Sequence, residues 1–249
     1  MKWLITGLNG SLAPVLARSA ALAGVHVLGW NRALVDPDDV AGGAGFLAAE
    51  RPDAIAHLGM GSANWAGRLA AHAQTRGIPF VFTSTAMVFD SIPDGPHGID
   101  AERNSQDPYG QCKIACEDAV RSAYPDASVA RIGWQIDPLQ PGNNMLMALD
   151  GWQARDGHVA CSRAWRPACS FMQDTVAALT KLLAMPSPGV VHLDSNAEEG
   201  HGFDRIAAAL KQAFSREDWV LREHDDYRHD QRLVGSAGLL PPLSARLPV

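Results

Sequence analysis

The chain has 249 residues, 47% of them hydrophobic, and carries a formal net charge of −6. Such a chain buries a proper core and fits one large domain, or a nucleotide-binding core with a small lobe. It holds no run of Lys or Arg and no apolar stretch near the roughly 20 residues of a membrane span, so nucleic acid and bilayer are not expected partners.

Met1 runs straight into Lys2-Trp3-Leu4-Ile5-Thr6, a strand pattern with no leader before it. A helix-like segment follows from about Ser11 to Ala23, and Gly24 stops it. Val25–Trp30 reads as a second strand, an apolar helical stretch lies near Phe46-Leu47, and Pro52–Leu58 reads as a third strand. Ala63 to Thr75 has helical composition and is broken by Gly77-Ile78-Pro79. Phe80–Thr85 is a strand with a hydroxyl-rich end, Tyr109 to about Ala123 a helix, and Ser128–Ile132 a further strand. Beyond residue 134 the pattern loosens: Pro138–Asn144 is turn chemistry, Asp174–Ala184 a helix, Val190–Leu193 a strand and Phe203–Phe214 a helix. Arg216–Arg232 gives no firm reading.

This alternation predicts an α/β fold, a Rossmann-type doubly wound parallel sheet with a small C-terminal substrate lobe. Residues 1–135 form the dinucleotide-binding part of a single domain over 1–249. Residues 136–249 form mainly the lobe, with a helix and strand at about 174–193 returning to the core. Ligands bind such sheets beyond the carboxyl ends of the strands, where Gly7, Thr85 and Gly133 fall.

Thr6–Ala13 links the first strand to the first helix. Gly7 permits a tight turn and Gly10 a close approach of backbone amides to a pyrophosphate, at a helix start that adds partial positive charge. The second strand ends in Trp30-Asn31-Arg32 with no carboxylate before Asp36. Arg32 suits a 2′-phosphate, which favours NADP(H) over NAD(H), although a solvated surface arginine explains it equally.

Asp107-Pro108-Tyr109-Gly110-Gln111-Cys112-Lys113 places Tyr109 and Lys113 at i and i+4 on one helical face. A free tyrosine, with its pKa near ~10, is a poor proton-transfer group at neutral pH. A neighbouring ammonium, helped by a cationic nicotinamide, stabilises the phenolate, which is what carbonyl reduction or alcohol oxidation requires. Alone the pair reads equally as surface decoration; Ser84-Thr85 at a strand end and the glycine turn tip it towards function.

With these segments the chain resembles the extended short-chain dehydrogenase/reductase superfamily, most of all its dTDP-4-dehydrorhamnose reductase group. The matching stretches are Arg51–Ile55, Ser84–Asp90, Tyr109–Lys113 with Glu117, and Arg131–Trp134. The resemblance implies that Thr85 orients a substrate carbonyl, Tyr109 protonates it, and Lys113 holds the nicotinamide ribose. It implies cofactor contacts at Gly7, Asn9, Gly10, Ser11, Leu12, Asn31, Arg32, Asp36, Leu58, Gly59, Met60 and Thr83, besides Tyr109 and Lys113. The chain departs from the group at Ala13 for the third glycine, at His57–Met60 after the third strand, and at Ala86-Met87 in place of Asp-Tyr. Ser62–Pro79 is also shorter than in the group.

On the substrate side, Ser84, Asn143, Arg163 and Arg166 are candidate contacts. Trp165 either stacks on a ring or packs as core. His224-Asp225-Asp226 and His229-Asp230 read as solvated surface rather than a metal site. No metal is expected, because Cys112 and Cys116 suit two packed thiols better than zinc. With Cys161 and Cys169 they fit a reducing cytoplasm.

The expected activity is reduction of a keto group on a nucleotide-linked sugar or similar small molecule. An NAD-retaining epimerase is the second enzyme reading, and dehydratase chemistry lacks its acidic pair at Ala86-Met87. A non-catalytic subunit resembling the regulatory partner of methionine adenosyltransferase is the remaining alternative. If the chain associates, a homodimer is the expected form.

Overall fold

The computed structural model describes residues 1–139, 141–236 and 238–249. Its central sheet has six strands: β1 (Lys2–Thr6), β2 (His26–Gly29), β3 (Ala54–His57), β4 (Phe80–Thr85), β5 (Ser128–Ile132) and β10 (Gly189–Leu193). They lie in the order β10-β5-β4-β3-β1-β2, so the winding reverses between β1 and β3. β1 pairs in parallel with both β2 and β3, and β3 with β4. The helices between them are α1 (Leu12–Leu22), α2 (Val40–Glu50), α3 (Ala63–Arg76) and α4 (Pro108–Ala123). This is the expected doubly wound α/β architecture, and its reversal point opens a crevice at the strand ends.

The chain divides into two compact units. The first comprises Met1–Val88, Ser105–Arg131 and Val176–Val191; the second comprises Phe89–Asn104, Ile132–Thr175 and His192–Val249. In the first unit α3 buries Trp65, Ala66, Leu69, Ala70 and Ala73, one stripe repeating every three to four residues. Against it lie Cys116 and Val120 of α4 and Leu4, Ile55, Phe80, Phe82 and Val129 of the sheet. Small residues let the two helices approach: a Cβ on Gly67 would sit 3.4 Å from the Ala119 Cβ. α3 begins where the Ser62 side chain accepts from the Trp65 amide and ends at Gly77 in the left-handed region, φ +60°. It is a full 14-residue helix despite the shortened Ser62–Pro79 segment.

The second unit contains elements that the sequence did not announce. These are β6 (Trp134–Ile136), α5 (Met145–Asp156), β7 (Val159–Ser162), β8 (Trp165–Arg166), β9 (Cys169–Phe171), β11 (Leu221–His224) and β12 (His229–Asp230). The strands form three two-stranded parallel sheets, β6 with β9, β7 with β11 and β8 with β12. α6 (Met172–Ala184) and α7 (Phe203–Ala213) complete the helices. The core gathers Ile136, Leu146, Leu149, Val159, Cys161, Phe203, Ile206, Leu210 and Trp219. Buried Asp194 ties it together by accepting from the amides of Cys169, Asn196 and Leu233. Within the described residues no helix is long and apolar enough to cross a membrane.

Phe203 is fully buried, with its ring 4.5 Å from that of Trp165. Phe203→Ala is expected to lower stability by about 3–5 kcal/mol, read as an earlier urea midpoint. Leu22→Ala, at a side chain 91% exposed, serves as the control and should leave the midpoint nearly in place.

Candidate active site

The first unit brings three sequence-predicted groups to the ends of β1, β3 and β4. Gly7 adopts φ +83°, and a Cβ there would fall 2.8 Å from the Gly59 amide nitrogen, so only glycine lets the first turn press on the loop after β3. The Gly10 amide donates back to the Gly7 carbonyl at 2.8 Å, closing the turn before α1. Ser11, at the helix N-cap, does not bond the first-turn amides with its side chain.

A link between β1 and β3 went unread in the sequence. Thr6 Oγ1 accepts from the amides of Leu58 at 3.1 Å and Gly59 at 2.9 Å. With both lone pairs occupied, its proton goes to His57 Nδ1, 2.8 Å away, which leaves the imidazole hydrogen on Nε2. His57 is buried between the rings of Trp65 and Phe82. Burial first, and then the charges of Lys113 and Arg32, push its pKa down to about 3. A histidine ending an apolar strand was the only available signal.

The loop after β2 carries Asn31, Arg32 and Asp36, all exposed. Asn31 accepts from the Ala33 amide and Asp36 from the Asp38 amide, so both shape the loop. Arg32 donates to the Met60 carbonyl and lies over the Trp65 ring, 5.0 Å from its centre. It thus lies at the edge of the loop Leu58–Met60 rather than projecting freely.

α4 supplies the remaining groups. Asp107 caps it by accepting from the amides of Tyr109 and Gly110, and Pro108 occupies its first turn. Gly110 allows contact with the short turn Ala86–Val88, since a Cβ there would lie 2.2 Å from the Met87 carbonyl oxygen. The helix therefore lies tight against the end of β4. Lys113 is buried, donates from Nζ to the Thr83 carbonyl at 2.9 Å, and sits over the rings of Phe82 and Tyr109, 4.9 and 5.9 Å from their centres. Behind it Glu117 and Arg131, both buried, form a two-pronged pair at 3.0 and 2.9 Å.

Tyr109 is 38% exposed, with the Thr85 side chain near enough to act on its phenol. Thr85 Oγ1 also accepts from the Met87 amide at 3.1 Å. Burial raises the Tyr109 pKa, Thr85 opposes that, and Cys112 adds to it. This differs from the expectation that Lys113 depresses the phenol. The ammonium is committed to the Thr83 carbonyl, and its own pKa is lowered by burial while Cys116, Cys112 and Glu117 raise it. Ser84 is 2% exposed with its hydroxyl unpaired, on the opposite face of β4 from Thr83 and Thr85.

The second unit disposes its candidates differently. Arg163 pairs with Asp225 and comes within 4.0 Å of Glu223, so its guanidinium already faces two carboxylates. Arg166 and Asn143 are exposed, while Asn144 caps α5 from a buried position. Trp165 packs on Phe203, donates to Gln231 Oε1, and also lines a cavity of about 430 Å³ with Trp152, Ser162, His224 and Tyr227. Asp225 and Asp226 lie at the surface as read, but His229 and Asp230 do not. They form β12 and are buried, His229 meeting the Tyr227 hydroxyl and Asp230 gripped by Arg232. Among the described residues no three His, Cys, Asp or Glu side chains gather as a metal cluster.

Comparison with known proteins adds a lineage to this geometry. Residues 61–198 match the family described as RmlD substrate binding domain. The chain is 26% identical over 230 residues to dTDP-4-dehydrorhamnose reductase of Mycolicibacterium smegmatis, spanning 84% of this chain and 68% of that protein. In fold it is similar to dTDP-4-dehydrorhamnose reductase of Bacillus anthracis in complex with NADP, with TM-score 0.80, 16% identity and 97% and 95% of the two chains covered. It is likewise similar to the Bordetella bronchiseptica enzyme WbmH in complex with NAD+, with TM-score 0.75, 18% identity and coverage of 94% and 88%.

The buried histidine has a pH signature. Unfolded histidine takes up a proton below about pH 6.5, whereas His57 stays neutral until about 3, so its contribution to stability is present above 6.5 and is lost as the pH falls. Between pH 7.5 and 5 the wild type should lose about 2 kcal/mol more than His57→Asn, measured by denaturant unfolding at both values. Parallel losses in the two proteins would contradict a buried neutral imidazole.

Proposed function

This chain belongs to the RmlD substrate binding domain family, and on that premise we propose that it reduces a keto group on a nucleotide-linked sugar with NAD(P)H. The observation that carries the reading is the convergence of Thr85, Tyr109 and Lys113 at one strand end, with Lys113 anchored on the Thr83 carbonyl and its ammonium over the ring of the exposed Tyr109.

The residues present fit a dinucleotide. Gly7 and Gly10 close a turn at the start of α1, whose N-terminal partial positive charge suits an anion. Arg32 at the rim of Leu58–Met60 suits a 2′-phosphate, which favours NADP(H). Asn9, Ser11, Leu12, Asn31, Asp36 and Thr83 line the same strand ends in this reading. When bound, the reduced nicotinamide supplies hydride to the carbonyl carbon.

The chain's own groups manage the proton and the geometry. Because Thr85 Oγ1 already accepts from the Met87 amide, its hydroxyl hydrogen is available to an incoming ketone oxygen. Tyr109 donates the proton that completes the alcohol. Lys113, anchored on the Thr83 carbonyl, holds the ribose side. Ala86 is buried and Met87 partly exposed beside Thr85, where elimination chemistry would need carboxyl groups. Asn143, Arg163 and Arg166 are the proposed substrate contacts, and Ser84, buried on the other face of β4 from Thr85, is not; Arg163 would have to exchange Asp225 for a phosphate.

Two measurements test this. Titration with NADPH and NADH, followed by nicotinamide fluorescence, should show tighter NADPH binding that weakens roughly 10–100-fold in Arg32→Ala while NADH binding barely changes. Failure of both nucleotides to bind would end the reductase reading. With a nucleotide-linked 4-keto sugar as substrate, Tyr109→Phe should lower kcat by about 10²–10⁴ with cofactor affinity retained. An unimpaired Tyr109→Phe would remove Tyr109 as the proton donor.

A further inference from the structure

α4 carries two thiols that the reaction above does not use. Cys112 and Cys116 stand one helical turn apart, and their Sγ atoms each lie 3.8 Å from the same Gly61 carbonyl oxygen. Gly61 is required where it is: a Cβ there would lie 2.4 Å from a Trp65 ring atom, so the loop cannot retreat from α4 without losing that packing. Two sulfurs and a carbonyl oxygen therefore converge on one point, fixed from both sides. Cys161 and Cys169 lie in the second unit, buried and without such a convergence.

We propose that Cys112, Cys116 and the Gly61 carbonyl form a binding site for one soft, closed-shell monovalent cation of the Cu+ class. Soft thiolates select such ions, and two sulfurs at i and i+4 suit a two-coordinate ion that needs none of zinc's four ligands. On binding, two S–H bonds break, two S–Cu bonds form and two protons leave to water, with no change of oxidation state. The product is a bis-thiolate complex of net charge −1. Lys113, the residue after Cys112, is buried on the same helix, and its ammonium would serve as the counter-ion. The ion would thus engage the side chain that anchors the catalytic end of α4. The metal site itself does not depend on the reductase reading; only its consequence for turnover does.

The test is anaerobic competition for Cu+ against bicinchoninate, whose coloured copper complex reports what the protein withdraws. Wild type should withdraw one Cu+ per chain and develop near-ultraviolet thiolate-to-copper absorption. Cys112→Ser and Cys116→Ser should each lose at least tenfold in affinity, while Cys161→Ser keeps wild-type retention. Zn2+, offered against a chromophoric zinc chelator, should stay with the chelator. Lys113→Met should bind Cu+ several-fold more weakly through loss of the counter-charge. Copper left with bicinchoninate by wild type, or withdrawn equally by the Cys112→Ser/Cys116→Ser double variant, would overturn the site. Equal affinity in Lys113→Met would overturn the coupling to the catalytic helix. Cofactor titration of metal-free protein is a separate readout, so failure of the reductase reading is distinguishable from failure of the site.

Discussion

A buried ammonium governs the architecture of the first unit. Lys113 is 4% exposed, and a strand carbonyl and two aromatic faces receive its charge. An ion in such a place is tolerated only with compensation. The Thr83 carbonyl must lie within hydrogen-bond reach, which fixes α4 against the end of β4. That approach is possible because Gly110 has no side chain to strike Met87 and because Asp107 and Pro108 start the helix at the right residue. Thr85 and Tyr109 then meet as a consequence of where the lysine can be satisfied.

The same need explains the Glu117–Arg131 pair one turn further along α4. Replacing such a pair by apolar residues is often neutral for stability, so stability alone is a weak account of its presence. Here Glu117 adds negative potential at Lys113, favouring its charged form, while Arg131 keeps both carboxylate oxygens bonded. His57 answers the same field in the opposite way. Neutral and bonded to Thr6, it fills the floor beneath the glycine turn without adding a second positive charge near Lys113 and Arg32.

Much of this was legible in the sequence because the first unit is built from long periodic elements. The strands β1, β4 and β5 and the helices α3 and α4 carry clear apolar patterns bounded by Gly, Pro and capping residues. The second unit gave little because its strands run from two to four residues, too short for any period to show. α5 escaped for a related cause: Met145, Leu146 and Leu149 are buried, but its later residues mix tryptophan with charges. His229-Asp230 looked like surface because a charged tract masks a buried bridge whose charges are internally paired. Contacts between distant segments, such as Thr6 with His57, leave no local pattern at all.

The direction of the Tyr109 shift bears on when its proton can move. Both directions of the reaction gain from a phenol pKa nearer neutrality: oxidation needs phenolate as base, and reduction needs an acid strong enough to protonate the developing alkoxide. Burial in the present structure acts against both and keeps the phenol protonated, with Thr85 as the opposing influence. A ketone oxygen that takes the Thr85 hydrogen would remove the contact that stabilises phenolate, and so strengthen retention of the proton until charge develops on the ketone oxygen. In the proposed reduction Tyr109 would therefore keep its proton until hydride arrival places charge on the ketone oxygen.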